Sequence, residues 1–325
     1  MPKKSSIIDE KDRKILAELD KNARQTDSEI AKKVGVSKQV ANYRIQKLIE
    51  TGVITNFYTI VNVGNLGLNS YYIFLQLESI NKDEERKLLG KIKDLDFVGW
   101  LISGMGRWDA VILINSESVG SFERYLNQVI SICGKHLHEY VFTNLVEAEH
   151  ISYKFLNSNH QSYNISQSER KETIKFDKTD ASILKTISQN ARLPLTEISD
   201  KTKIPLHVVN YHLKTLIKNK IIEGFKPKIN VNKLGNQWHL LLIQFQNVNE
   251  KRKKEFIEFC KHHNKVYYVT NTIGDYNLML DIIVNSVEEF KEVLFDLKDK
   301  FSDIIRLYES MIIFEEYKIS YLPEL

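Results

Sequence analysis

Cysteine is nearly absent from this chain: Cys133 and Cys260 are the only two in 325 residues. They stand in no CxxC or zinc-ligand spacing, which argues against a disulfide framework and fits a reducing compartment, so a cytoplasmic protein is expected. Long apolar runs are missing as well. The longest, near Tyr71–Leu77 and His239–Phe245, are strand-sized and far short of the roughly 18–20 residues a membrane span requires, so no membrane partner is expected. The opening MPKKSSIIDEKD carries two lysines but no apolar core and does not read as a signal peptide. There is no P-loop, dinucleotide fingerprint or Ser-His-Asp set. His136 and His138 alternate along a strand edge, and Cys260, His262 and His263 gather at a helix end. Both groups read as surface residues rather than ligands, so neither a metal nor a cofactor is expected. What remains, 42% hydrophobic and 27% charged, is an ordinary globular composition.

What the chain does have is a second copy of itself. ANYRIQKLIETGVITNFYTIVNVGNLG, from Ala41 to Gly67, returns as VNYHLKTLIKNKIIEGFKPKINVNKLG, from Val209 to Gly235. Asp9 and Asp12 return as Asp177 and Asp180, Asn22-Ala23-Arg24 as Asn190-Ala191-Arg192, and Ile151-Ser152-Tyr153 as Ile319-Ser320-Tyr321. Every pair is 168 positions apart, 9 to 177 as 153 to 321. A constant offset means duplication without net insertion or deletion. Units of this length are whole modules, not the roughly 20–50-residue repeats of a solenoid.

Charge alternates in step with the repeat. Residues 1–60 carry 12 Lys+Arg against 8 Asp+Glu, and residues 68–153 carry 8 against 12. Residues 174–235 carry 12 against 5, and residues 236–325 carry 11 against 15. A basic module beside an acidic one, twice over, points to a polyanion as the partner of the basic kind alone.

In the first basic module, IDEKDRKILAELDKNAR puts Ile8, Ile15, Leu16 and Leu19 on one helical face, with Asp9 as N-cap. TDSEIAKKVG reads as a shorter helix ended by Gly35, and VSKQVANYRIQKLIETG as a third, capped by Ser37 and ended by Gly52. VITNFYTIVNV then has the β-branched and aromatic content of a hairpin. Three helices followed by a hairpin make a winged helix-turn-helix. Projection of the third helix buries Val40, Ala41, Ile45 and Leu48 and leaves Gln39, Asn42, Tyr43 and Gln46 outside, flanked by Lys38 and Lys47. Copy two presents His207, Asn210, Tyr211 and Lys214 at the outer positions, and Arg44 and His212 are also expected among the DNA-binding residues. Asn and Gln can pair with adenine in the major groove, while Lys and His reach guanine or phosphate, so double-stranded DNA is the expected partner.

After Gly67 the order strand, helix, strand, strand, helix, strand repeats in both copies, as YYIFLQLE to HEYVFTNLVEA and as HLLLIQFQ to IIRLYESMIIFEE. This is the βαββαβ order of a ferredoxin-like sheet with an apolar open face, so two such sheets are expected to pack together. The class is α+β. The expected organisation is a winged helix-turn-helix at 1–67, a ferredoxin-like domain at 68–153, a polar linker at 154–173, a second winged helix-turn-helix at 174–235 and a second ferredoxin-like domain at 236–325.

DEKDRKILAELDKNARQTDSEIAKKVGVSKQVANYRIQKLIETGVI resembles the DNA-binding half of the Lrp/AsnC family of bacterial and archaeal regulators. Asp12, Ile15-Leu16, Asn22-Ala23-Arg24, Ile30-Ala31, Val36-Ser37, Arg44, Leu48 and Gly52-Val53-Ile54 fall where the family pattern has them. Copy two departs from it: Gly35 becomes Lys203, Ser37 becomes Pro205, Arg44 becomes His212 and Gly52 becomes Lys220. These changes make it the expected weaker reader, and it is open whether it contacts bases or only phosphates.

The resemblance further implies pairing of the acidic domains and a small effector, usually an amino acid, bound near a Gly-x-x-Asp turn. Here that turn is Gly104, Gly106 and Asp109, and in copy two Gly274 and Asn277. Asp109 could meet an ammonium group, whereas a hairpin turn would need the same glycine and aspartate for its own geometry. The whole then reads as a transcriptional regulator that is its own dimer, with further association of chains left open. Two alternatives stand beside it. Haem-pathway decarboxylases acting on tetrapyrroles are similar in organisation, although no His or Arg stands just before Tyr276-Asn277. An architectural DNA-binding protein would differ only in specificity.

Overall fold

The computed structural model describes residues 7–156, 165–168, 176–320 and 322. Copy one runs α1 (Glu10–Lys21), α2 (Asp27–Val34), α3 (Lys38–Glu50), β1 (Ile54–Val61), β2 (Asn69–Leu77), α4 (Lys82–Lys93), β3 (Val98–Gly106), β4 (Ala110–Ser116), α5 (Val119–Cys133) and β5 (Leu137–His150). A short strand β6 (Ile165–Ser168) follows. Copy two repeats the order as α6 (Lys178–Gln189), α7 (Leu195–Thr202), α8 (Leu206–Lys218), β7 (Ile222–Ile229), β8 (Gln237–Phe245), α9 (Glu250–His262), β9 (Val266–Gly274), β10 (Leu278–Val284), α10 (Val287–Phe301) and β11 (Ile305–Ile319).

The helix starts follow local chemistry. Asp9 and Thr26 each accept from a backbone N–H three residues on while that residue's carboxylate caps back, and Ser37 accepts from the Val40 N–H. Such caps satisfy donors that the helix leaves open.

The hairpin expected after α3 is not there. β1 is a single strand, and its ladder partner is β7 of the other copy, antiparallel, with Ile54 opposite Ile229 and Val61 opposite Ile222. A lone strand leaves its backbone polar groups unpaired, and the second copy supplies what a hairpin would have supplied. The exchange fuses the two cores. Helix α1 packs on β7 and α6 on β1, and one apolar cluster runs through both from Ile15 and Leu19 to Ile183 and Leu213. The pairing is two-fold in character. Arg24 donates to the Ala191 carbonyl at 2.6 Å and Arg192 to the Ala23 carbonyl at 2.6 Å. The same guanidinium groups lie over Phe225 and Phe57.

The two sheets pack by their open faces, as expected, around a core that includes Phe74, Val111, Leu240, Leu242 and Met279. Their edges also join, which the sequence pattern did not indicate. Strand β5 pairs with β2 from Leu137 to Asn144 and then with β9 from Thr143 to His150. Strand β11 does the same with β8 and then β3. The result is a closed ring, β2-β4-β3-β11-β8-β10-β9-β5 and back to β2. Closure removes the exposed sheet edges. Helices α4 and α5 cover one side of the ring and α9 and α10 the other.

Of the expected linker, residues 157–164 and 169–173 lie outside the described residues. Within it β6 lies antiparallel to β5, Ile165 opposite His150, so the segment is not irregular throughout. Among the described residues no helix is long and apolar enough to cross a membrane.

Candidate nucleic-acid interface

Gly35 ends α2 in the left-handed conformation at φ 72°, which turns the chain sharply into α3. Ala41, Ile45 and Leu48 anchor α3 from behind. Lys38, Gln39, Asn42, Tyr43, Gln46 and Lys47 are all exposed on its other side, Tyr43 by 65%. Val40, expected inside, is exposed because it sits at the start of the helix beyond the packed core.

Asn42 does not simply wave in solvent. Its side-chain amide donates to Asp27 at 2.8 Å, and Asp27 in turn accepts from Arg192 of copy two at 2.7 Å. The pattern along the chain gave no sign of this relay. An amide NH2 has two hydrogens and its oxygen accepts, so Asn42 keeps one donor and its acceptor for a base edge. The relay restricts the rotamers open to the Asn42 side chain.

Arg44, expected among the DNA-binding residues, is engaged within the protein instead. Its guanidinium donates to Asp9 at 2.7 Å and Asp12 at 2.8 Å, tying α3 to the start of α1. His212 does the same in copy two, at 2.8 Å from Asp180. Asp177, Asp180 and His212 lie close enough to suggest a metal. The equivalent Asp9, Asp12 and Arg44 show the cluster to be an ion-pair position, since an arginine cannot ligate.

Copy two keeps the shape of the reader with fewer aids. Lys203 and Lys220 hold the left-handed conformation at φ 60° and 58°, at a cost of about 1 kcal/mol each relative to glycine. Pro205 occupies the N-cap, not the first helical turn, and offers no side-chain acceptor. Leu195 stands where copy one has Asp27, so Asn210 lacks the relay and is half-buried. Tyr211 is 68% exposed, and His207 and Lys214 are exposed beside it.

The Gly-x-x-Asp turn has a structural occupation. Asp109 accepts from the Leu77 N–H at 2.7 Å, and Asn277 accepts from the Phe245 N–H at 2.8 Å. A neutral amide performs the same task as the carboxylate, so the bond does not require the charge. A Cβ on Gly104 would sit 2.1 Å from the Ile312 carbonyl oxygen, and one on Gly106 2.4 Å from that of Ser310. Gly274 has φ 137° and would press on Phe142 in the same way. These glycines let β3 and β9 approach the other copy's long strand. Arg107, next to Gly106, pairs with Glu309 at 2.6 Å and Glu139 at 3.2 Å.

At the opposite end of the ring, beneath the wing strands, lies a cavity of about 60 Å³ lined by Trp100, Trp238, Tyr72, Tyr267, Asp281 and Glu316 among others. Asp281 is 3% exposed and accepts from the Trp238 indole at 2.7 Å. Glu316 accepts from the Trp100 indole at 2.6 Å and lies 3.0 Å from Lys228. Sequence reasoning missed these residues. Asp281 interrupts the apolar strand YNLMLDIIV where copy one has Leu113, and that break in the repeat was the available signal.

Comparison with known proteins follows this division of labour. A winged helix-turn-helix DNA-binding family profile matches residues 8–55 and again 176–223. The HTH-type transcriptional regulator Ptr1 of Methanocaldococcus jannaschii is 37% identical over 119 residues, 36% of this chain and 79% of that protein. The regulator LysM of Saccharolobus solfataricus is 31% identical over 127 residues, 39% of this chain and 87% of its own. Among solved structures, the siroheme decarboxylase NirDL superposes with a TM-score of 0.60 at 13% identity, over 97% of this chain and 94% of that one. At that identity the likeness speaks for the fold alone, in its two-copy arrangement. With two helix-turn-helix matches and relatives at this level, the chain belongs to the Lrp/AsnC family of HTH-type transcriptional regulators.

Proposed function

We propose that the chain binds double-stranded DNA sequence-specifically as a covalent pseudo-dimer, α3 reading bases and α8 contributing mainly charge. One observation carries this reading. Gln39, Asn42, Tyr43 and Gln46 stand exposed on an anchored helix, and a second copy of the whole reader is locked to it through β1 and β7. Two readers held at fixed geometry are what two adjacent half-sites require. We place the amino-acid effector at the turn around Gly106. There the carboxylate and ammonium groups of an amino acid would replace the half-exposed ion pair of Arg107 with Glu139 beside the Glu309 contact.

The enzyme alternative is tetrapyrrole decarboxylation on the same fold. A decarboxylase must hold a carboxylate substrate, which calls for unpaired cations. In the described cavity the acidic groups are Asp281 and Glu316, and Lys228 is already paired. That lining favours the non-enzymatic reading.

The test is selection of bound DNA from a random pool by the purified protein, with its absorption spectrum recorded first. A recovered motif whose base preference relaxes in Asn42→Ala and Gln39→Ala supports the reading. A visible tetrapyrrole band without DNA enrichment replaces it with the enzyme. Enrichment without any motif leaves an architectural role.

A further inference from the structure

We propose that the cavity beneath the wing strands binds a small organic ammonium ion, its charge set against Asp281 and Glu316 and its body against Trp100, Trp238 and Tyr267. Each carboxylate is aimed by an indole N–H: Trp238 on Asp281 and Trp100 on Glu316. Each bond uses one oxygen of the group. The Trp238 bond is the one side-chain hydrogen bond to Asp281 found among the described residues, and the carboxylate borders the cavity. A carboxylate has lone pairs beyond the one the indole uses, and a ligand N–H in the cavity is a suitable donor for them.

The charge count points the same way. The titratable groups that line the cavity besides its tyrosines are His150, Lys228, Asp281 and Glu316. Lys228, 3.0 Å from Glu316, offsets one of the two acidic charges. Burial holds His150 well below its usual range, so it is neutral. The nearby Lys226 is committed to Asp20 at 2.8 Å. Among the described lining residues one negative charge is left uncompensated across Asp281 and Glu316, and the aromatic faces around them suit a cation.

Size narrows the class. A cavity of about 60 Å³ holds roughly four to six waters at 10–15 Å³ each. That is room for a compact amine, not for a nucleotide or a tetrapyrrole. Among the described lining residues no free cation remains for a ligand carboxylate, so an amino acid is the poorer fit.

The site is also built once. The positions equivalent to Asp281, Glu316, Trp238 and Tyr267 in copy one hold Leu113, Ala148, Ser70 and Gly99. The mirror-related place therefore lacks both carboxylates, and divergence after duplication has equipped only one side. Ile229 and Val231 of the wing region form its roof, while Trp100 and Met279 of the ring form its floor. An occupant touches both layers, far from the turn at Gly106. Binding here does not depend on whether the chain reads DNA.

The experiment is a tryptophan-fluorescence titration of the full chain with isobutylamine at pH 8, against isobutanol and leucine as comparators. The expected result is a saturable change with the amine and at least tenfold weaker responses to the other two. Asp281→Leu, which installs the copy-one residue, should weaken the amine at least tenfold, and Glu316→Ala should weaken it as well. Because burial pushes the Asp281 carboxyl up to about 7, the affinity should fall about tenfold per pH unit below that point. A melting curve checks that each variant folds, and Glu316→Ala decides if Asp281→Leu does not. The absence of a saturable amine response overturns the proposal. So does an equal response to isobutanol, tighter binding of leucine, or undiminished binding in a folded variant.

Discussion

Trp108 and Tyr276 occupy the same position in the two copies, and they hydrogen-bond to each other: the indole N–H donates to the phenol oxygen at 2.7 Å in the middle of the shared core. The phenol then donates to Glu309, which Arg107 holds from outside. Two tryptophans here would offer two donors and no acceptor, so a chain of identical halves could not make this contact.

Tyr276→Phe should therefore cost about 1–3 kcal/mol, because the Trp108 indole keeps its place and loses its acceptor. Tyr276→Trp should cost at least as much, since it adds volume to a packed core as well. Urea unfolding of the three proteins decides it. Equal midpoints for wild type and Tyr276→Phe would show that the indole finds another acceptor.

A second asymmetric pair sets which halves belong together. Lys226 of β7 and Asp20 of α1 meet at 2.8 Å with both side chains about 2% exposed. Their counterparts are Tyr58 and Ser188. Pairing copy two with copy two would bury Lys226 against serine, and pairing copy one with copy one would set Asp20 against tyrosine. Lys226→Met should destabilise by about 3–5 kcal/mol, because Asp20 is left buried without its cation. The double change Asp20→Ser with Lys226→Tyr should recover most of that loss. A double-mutant cycle by denaturant unfolding measures it, and additive losses would rule out the pair as a unit.

Stability should also carry the signature of Asp281. Burial raises its carboxyl from the ordinary 3.8 to about 7. Between those values the folded chain keeps a proton that the unfolded chain has released. The contribution is therefore full below about pH 4 and is lost as pH rises through 7. Unfolding free energy should decline over this window in amine-free buffer, and the decline should be shallower in Asp281→Leu. Parallel pH profiles for the two proteins would show that the carboxyl titrates normally.

How far the sequence could be read depended on whether a contact was local. Asp9, Thr26 and Ser37 act within three or four residues, so their caps and the three-helix order were legible. The βαββαβ order was legible for the same reason, through period and turn residues. Exchange of β1 and β7 was not, because a strand's composition is the same whether its partner lies in its own hairpin or 168 positions away. The lengths of β5 and β11, 14 and 15 residues, were the missed sign that each serves two neighbours. At the candidate interface the exposed face of α3 came from helical projection alone. The partners of Arg44 and the Arg192–Asp27–Asn42 relay needed three dimensions, since they are 15 to 165 positions apart.

That relay separates the two readers in a way DNA binding can test. On the proposed reading Asn42 would meet the groove with its side chain held by Asp27, which is itself held by Arg192 of the other copy. Asn210 has Leu195 at the equivalent place and no such support. Asn42→Ala should cost about 1–3 kcal/mol on the selected operator and relax preference at one base pair. Asp27→Leu, which copies the second reader, should lower specificity at that same pair through loss of positioning, although Asp27 need not touch DNA. Asn210→Ala should cost less than Asn42→Ala. Lys38→Ala and Lys47→Ala should instead weaken binding on all sequences alike and reduce the salt slope by about one unit each. Competition binding at several salt concentrations, with a base-substitution scan of the operator, reads all of these. Equal losses for Asn42→Ala and Asn210→Ala, with Asp27→Leu silent, would make the two helices equivalent readers and the relay a packing contact only.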